Sequence, residues 1–146
     1  MDTPLMSLTA DPAAIIGSVT IPGRPHEVST ARAFVMRTLS ADKGQAIDSD
    51  AATLLTSELV TNAIQHTASG APGGTVTIVI VDVPDGVLIE VIDAGSLDRP
   101  TVKSDVFAAN GHGLYLVQEL ATQWGYLRDA AGTTVWFQLT VGPALG

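Results

Sequence analysis

Glu58 and Asn62 are the residues of this sequence whose types and spacing most directly suggest chemistry. They stand four apart in the run AATLLTSELVTNAIQHT, so on a helix they lie one turn apart along one side. Asn62 follows Leu55 by seven positions and Leu59 by three, which puts it on or beside the apolar stripe of Ala52, Leu55, Leu59 and Ala63. A buried amide must find hydrogen-bond partners or cost about 1–3 kcal/mol. Its oxygen is also a neutral, hard ligand that suits Mg²⁺, an ion that takes few protein ligands and completes its shell with phosphates and waters. A carboxylate one turn away could take a proton from an attacking hydroxyl or water. A plainer arrangement stays open, with Glu58 solvated and Asn62 capping a neighbouring loop. His66 continues the same edge, where it reads most simply as a polar helix end.

A second carboxylate ends the run VLIEVIDAGS. Asp93 follows an almost wholly apolar stretch, so its side chain arrives at the edge of the core, and Gly95 lets the chain turn away without a Cβ. A half-buried carboxylate there can accept from an exocyclic amino group, which adenine carries at C6 and guanine does not. An ordinary Asp-x-Gly turn is the alternative. Further on, NGHGLYLV places Gly111 and Gly113 at the start of a helical pattern with apolar positions Leu114, Leu116, Val117 and Leu120. Glycines at a helix N-terminus allow a phosphate close to backbone N–H groups. No G-x-x-x-x-G-K-[ST] occurs anywhere, and the G-x-G here lacks the third glycine and the preceding strand of a dinucleotide fingerprint.

These residues need elements to hold them. Residues 1–13 are polar with two prolines and read as a loose terminus, and 142–146 as a short tail, leaving one domain over 14–141. Ala14 to Ile21 reads as a strand stopped by Pro22-Gly23. Val28, Ala31, Phe34, Val35 and Leu39 recur at helical spacing, predicting a helix from Pro25 to Leu39. A second helix is predicted from about Asp50 to Thr67, with Asp48 or Ser49 as its cap. Thr75 to Val83 and Val87 to Ile92 form a hairpin across Pro84-Asp85-Gly86, with Pro84 presetting φ and Gly86 accepting a positive φ. A third helix is predicted from Gly111 to about Trp124-Gly125, followed by strands at Tyr126 to Arg128 and Thr133 to Val141. The order predicts an α+β fold, one mixed or antiparallel sheet with helices on one face.

The composition narrows the function classes. The chain has 146 residues, 46% of them hydrophobic, which is enough for one core. Seven basic residues against fifteen acidic ones give a net charge of −8, which argues against binding a nucleic-acid backbone. No cysteine is present, so disulfides and thiolate metal sites are excluded. The start lacks the pattern of a signal peptide, and no apolar run approaches the roughly 20 residues that span a bilayer. A cytoplasmic protein without membrane contact is the expectation.

Taken together and in order, the segments resemble the ATP-binding boxes of the GHKL (Bergerat-fold) ATPases. SELVTNAIQH resembles their N box, VIDAGS their G1 box, NGHGLYLV their G2 box, and AGTTVWFQL the late strand that closes the adenine pocket. The opening IPGRPHEVSTARAFVMRTL is similar to the first strand and helix of the anti-sigma-factor serine kinase branch found in bacteria. The resemblance covers about residues 14–140. It implies a Bergerat-type two-layer sandwich that takes ATP and Mg²⁺. By the same resemblance Glu58 would be the general base and Asn62 the Mg²⁺ ligand. Asp93 would accept from the adenine amino group, with Gly95 beneath the base and Thr133 beside it. Gly111, His112, Gly113 and Leu114 would close over the phosphates. Ser96 to Asn110 would form a lid whose basic residues, Arg99 and Lys103, either meet phosphates or stay solvated. One departure concerns that lid: position 97 is Leu where many members have a further glycine.

For function, the resemblance implies a serine/threonine-protein kinase that phosphorylates an anti-anti-sigma partner of STAS type and sequesters a sigma factor, in a form that is often a homodimer. The sequence offers the dimer indirect support, since Ile15, Ile16, Val19, Phe34, Val35 and Leu39 bring more apolar surface than one sheet face readily covers. Two other readings compete. One is a module that uses ATP to gate protein binding with little turnover; the other is a histidine-kinase catalytic domain. An intact Glu58 favours catalysis.

Overall fold

The computed structural model describes residues 14–42, 47–66, 70–93, 120–130 and 132–140. β1 (Ile15–Pro22) is followed by a 3₁₀ turn (Pro25–Glu27), α1 (Val28–Asp42) and α2 (Ser49–His66). β2 (Thr75–Val83), β3 (Gly86–Asp93), β4 (Gln123–Asp129) and β5 (Gly132–Thr140) complete it. The strands form one sheet in the order β1-β2-β3-β5-β4. Every pairing is antiparallel, so the sheet is antiparallel rather than mixed.

Local chemistry explains both helices. Asp48 caps α2, its Oδ1 accepting from the Ala51 N–H at 3.0 Å, which satisfies one of the donors a helix start leaves open. Inside α2 the Thr56 hydroxyl donates to the Ala52 carbonyl at 2.8 Å, so a fully buried hydroxyl meets its needs within its own helix. α1 is entered through Pro25, and it buries Ala31, Val35 and Leu39 at successive four-residue steps. These side chains join Leu55, Leu59 and Ala63 of α2 and Ile78, Ile80, Ile89, Val91 and Phe137 of the sheet in one core.

Strand alternation splits the sheet into two faces. The helices cover one. On the other, Val79, Val81 and Leu88 form a smaller cluster, and Glu90 is fully buried in register between Val79 and Trp136. Glu90 sits at the one acidic position in a run that otherwise reads as a continuous apolar strand. The fold is α+β with its helices on one face, as the pattern predicts.

Two expectations need correction. The last strand pair begins earlier than predicted: Trp124 and Gly125 lie inside β4, not at a helix end. Gly125 belongs there because a Cβ at this position would come within 2.8 Å of the Trp136 ring, which lies across the strand from β5. Gly86 does not take a positive φ; it is the first residue of β3, paired with Val83. It is needed for space instead, since a Cβ would run into the Leu139 carbonyl of β5. The apolar residues of β1 and α1 are covered to different degrees, with Ile15, Ile16, Val19 and Phe34 only partly buried. Val35 and Leu39 are fully buried, and Ile16, Val19 and Phe34 pack against the same core. Phe34 fits because Gly17 leaves room, the ring lying 3.1 Å from where a Cβ would stand. The predicted third helix falls mostly outside the described residues.

Candidate functional site

One row of residues crosses the whole sheet at a single level. The registers pair Ile21 with Val76, Val76 with Asp93, Asp93 with Thr133, and Thr133 with Arg128. Directly paired residues on neighbouring strands point to the same side. In this row that is the helix-bearing side, because Ile21 and Val76 belong to the main core. The row therefore passes from two apolar positions to a carboxylate, a small hydroxyl and a cation.

Asp93 is the last residue of β3, and it and Thr133 are each 7% exposed. The Thr133 N–H donates to Asp93 Oδ1 at 3.2 Å. That bond holds the carboxylate at the sheet end, at the strand terminus where β5 begins. A carboxylate has about four lone-pair sites, of which the Thr133 N–H takes one. Strand pairing thus brings Asp93 and Thr133 together from positions forty residues apart in the chain.

α2 carries the other two groups. Asn62 is 1% exposed, on the face that also buries Leu55, Leu59 and Ala63, and Glu58 is half-buried one turn earlier. The C-terminal end of α2 lies at the same end of the sheet as Asp93. Residues Thr61, Ile64 and Gln65 share a groove with Pro25 and Val28, just beyond the end of β1. The loop that leaves α2 returns into β2 at Thr75, which pairs with Pro22 one step from the Asp93 row. A turn at Gly73, with φ of 83°, and a Gly23 N–H to Gly74 carbonyl bond of 2.9 Å fasten this corner. One cleft of about 520 Å³ lies between residues 22–25 and 70–75, and another of about 240 Å³ at the α1–α2 groove. Neither is lined by Asn62, Asp93 or Thr133.

Of the residues singled out in the sequence, Glu58, Asn62, Asp93 and Thr133 are therefore placed. The backbone of His66 ends α2. Gly95, Arg99, Lys103, Gly111, His112, Gly113 and Leu114 lie outside the described residues, as does the rest of the expected lid. Among the described residues no group of three or more His, Cys, Asp or Glu is placed to hold a metal. No helix among them is long and apolar enough to cross a membrane. Sequence reading passes over Arg128, because its relation to Thr133 exists only through the β4–β5 register; a full-length strand from Gln123 would have given the parity.

A family model described as the histidine kinase-like ATPase domain matches residues 21–139. The chain belongs to this family. The span of this histidine kinase-like ATPase domain opens at Ile21, the first member of the cross-sheet row, and closes at Leu139 in the final strand. It contains every one of the candidate site residues, including those outside the described set. No curated protein matches the sequence. Family membership makes a nucleotide the expected ligand. It leaves the phosphoacceptor and the protein partners to be inferred.

Proposed function

We propose that this histidine kinase-like ATPase domain binds ATP with Mg²⁺ and acts as an anti-sigma-factor-type serine/threonine-protein kinase. The observation that carries the nucleotide part is the buried Asp93 carboxylate, fixed by the Thr133 N–H on the helix-bearing face. An acceptor so fixed suits the C6 amino group of adenine and disfavours guanine, whose carbonyl would meet a second acceptor. Discrimination by such a buried polar group is large, because the wrong base leaves it unpaired.

Asn62 fits the metal part of the proposal. Its amide is almost completely buried on the inward side of α2, and its oxygen is the single hard, neutral donor that Mg²⁺ needs when phosphates and waters supply the remaining ligands. The ion, when bound, offsets charge on the triphosphate that a chain of net charge −8 does not itself neutralise. Glu58 lies one turn away and is only half-buried, which leaves its carboxylate able to reach an incoming hydroxyl. Its role is to orient that hydroxyl and accept its proton.

The kinase branch, the anti-anti-sigma substrate, the sequestered sigma factor and the homodimeric assembly belong to this proposal on the strength of the sequence resemblance. Incubation with γ-labelled ATP, Mg²⁺ and candidate anti-anti-sigma proteins tests it. Label transferred to a partner serine or threonine is the expected result. ATP binding without transfer to any such partner would favour the ATP-gated binding module.

A further inference from the structure

We infer that Arg128 closes the base end of the nucleotide site, its guanidinium lying against the purine held at Asp93. The inference rests on the nucleotide reading above and adds a residue to it. Its basis is the cross-sheet row. Asp93, Thr133 and Arg128 occupy three adjacent strands at one level and face the same side. Neighbouring strands are about 4.8 Å apart, so the Arg128 backbone stands roughly 10 Å from that of Asp93. Thr133 between them is short, so in this row a small residue separates a carboxylate from a long cationic side chain.

A purine has the width to bridge the interval between Asp93 and Arg128. Its amino group would meet Asp93, its ring would lie over Thr133, and its outer part would reach the level of Arg128. On the far side of Asp93 the row continues as Ile21 and Val76, both buried in the core, so the base has no room to extend in that direction. β4 is the edge strand, so Arg128 is the last residue of the row on the open side. It is half-buried, whereas its neighbour Leu127, on the opposite face, is 46% exposed. A planar guanidinium stacks on aromatic rings and can also donate to ring nitrogens, which an ammonium does less well. Basic side chains are scarce here, seven against fifteen acidic ones, so a cation at this position is not generic surface charge.

The test is titration of wild-type protein, Arg128→Ala and Arg128→Lys with adenosine and with ADP, each with Mg²⁺, followed by NMR or calorimetry. Arg128→Ala should weaken adenosine and ADP by the same factor, on the order of tenfold. Arg128→Lys should recover only part of that loss, and all three proteins should show the same far-UV circular dichroism. Unchanged adenosine affinity in Arg128→Ala would overturn the inference. So would a loss confined to ADP, which puts the guanidinium on the phosphates, or complete recovery by lysine, which makes the effect one of charge alone. Wild-type protein that binds neither ligand would overturn the nucleotide site itself and this assignment with it.

Discussion

Asp93 Oδ1 accepts a hydrogen bond from the Thr133 N–H at 3.2 Å, and the two residues face each other in the β3–β5 register. The bond ties a carboxylate at the end of one strand to the backbone at the start of another. It fixes the orientation of the acceptor, so the proposed binding of adenine there would meet little ordering cost.

Asp93→Asn should therefore bind adenine nucleotides more weakly by about 1–3 kcal/mol, or roughly fivefold to 150-fold. If the amide oxygen keeps the Thr133 N–H, the amide nitrogen presents a donor to the donor of adenine. Calorimetric titration with ADP and Mg²⁺ measures the change. Wild-type affinity in the variant would remove Asp93 from base recognition.

Glu58 and Asn62 should separate chemistry from binding. Glu58→Ala is expected to keep ADP affinity within about twofold and to lower phosphoryl transfer by about 10²–10⁴. Its half-exposed position predicts a stability change within about 0.5 kcal/mol. Asn62→Ala removes a side chain that is 1% exposed, so it should cost about 1–3 kcal/mol of stability and also the Mg²⁺-dependent part of nucleotide affinity. Parallel urea unfolding and titrations with and without Mg²⁺ resolve these effects. A Glu58→Ala protein with full transfer activity would end the general-base assignment.

Asp48→Ala should destabilise the protein by about 1 kcal/mol through loss of the α2 cap. Because α2 carries Glu58 and Asn62, ADP affinity should fall only slightly while the helix remains folded. The urea midpoint reports the first effect. A midpoint equal to that of the wild type would mean that the Ala51 N–H finds an equivalent partner.

Gly125→Ala should destabilise by about 1–3 kcal/mol, because the added methyl overpacks against the Trp136 ring, 2.8 Å away. The ring has to tilt off β4, so tryptophan emission should shift as well. A neutral substitution with unchanged emission would contradict the placement of the indole over the strand.

Much of the candidate site is legible one segment at a time. The helical spacing of Ala52, Leu55, Leu59 and Ala63 is enough to turn Asn62 inward, and the structure buries it to 1%. The apolar run before Asp93 is enough to deliver that carboxylate to the core edge. Asp48 reads as a cap because a short acceptor before an apolar periodic stretch has one favourable use, and it makes that bond. Less legible is the start of β4. Gln123, Trp124 and Gly125 follow a helical pattern without a break, and glycine inside a strand is locally unfavourable. Its reason is the Trp136 ring on a different strand, which no window around Gly125 contains.

The sequence by itself determined the first two helices and the β2–β3 hairpin, the inward turn of Asn62, the one-turn relation of Glu58 to it and the delivery of Asp93. All of these follow from interactions within a few residues, where periodicity and capping chemistry operate. Only the tertiary structure decided that Thr133 is the partner of Asp93, that Arg128 stands on the same row, and that Gly86 is required for space rather than for a turn. Those relations pass through strand order and register. A shift of one residue in the β3–β5 or β4–β5 pairing would send each side chain to the opposite face, and the register is set by packing both faces of the sheet at once.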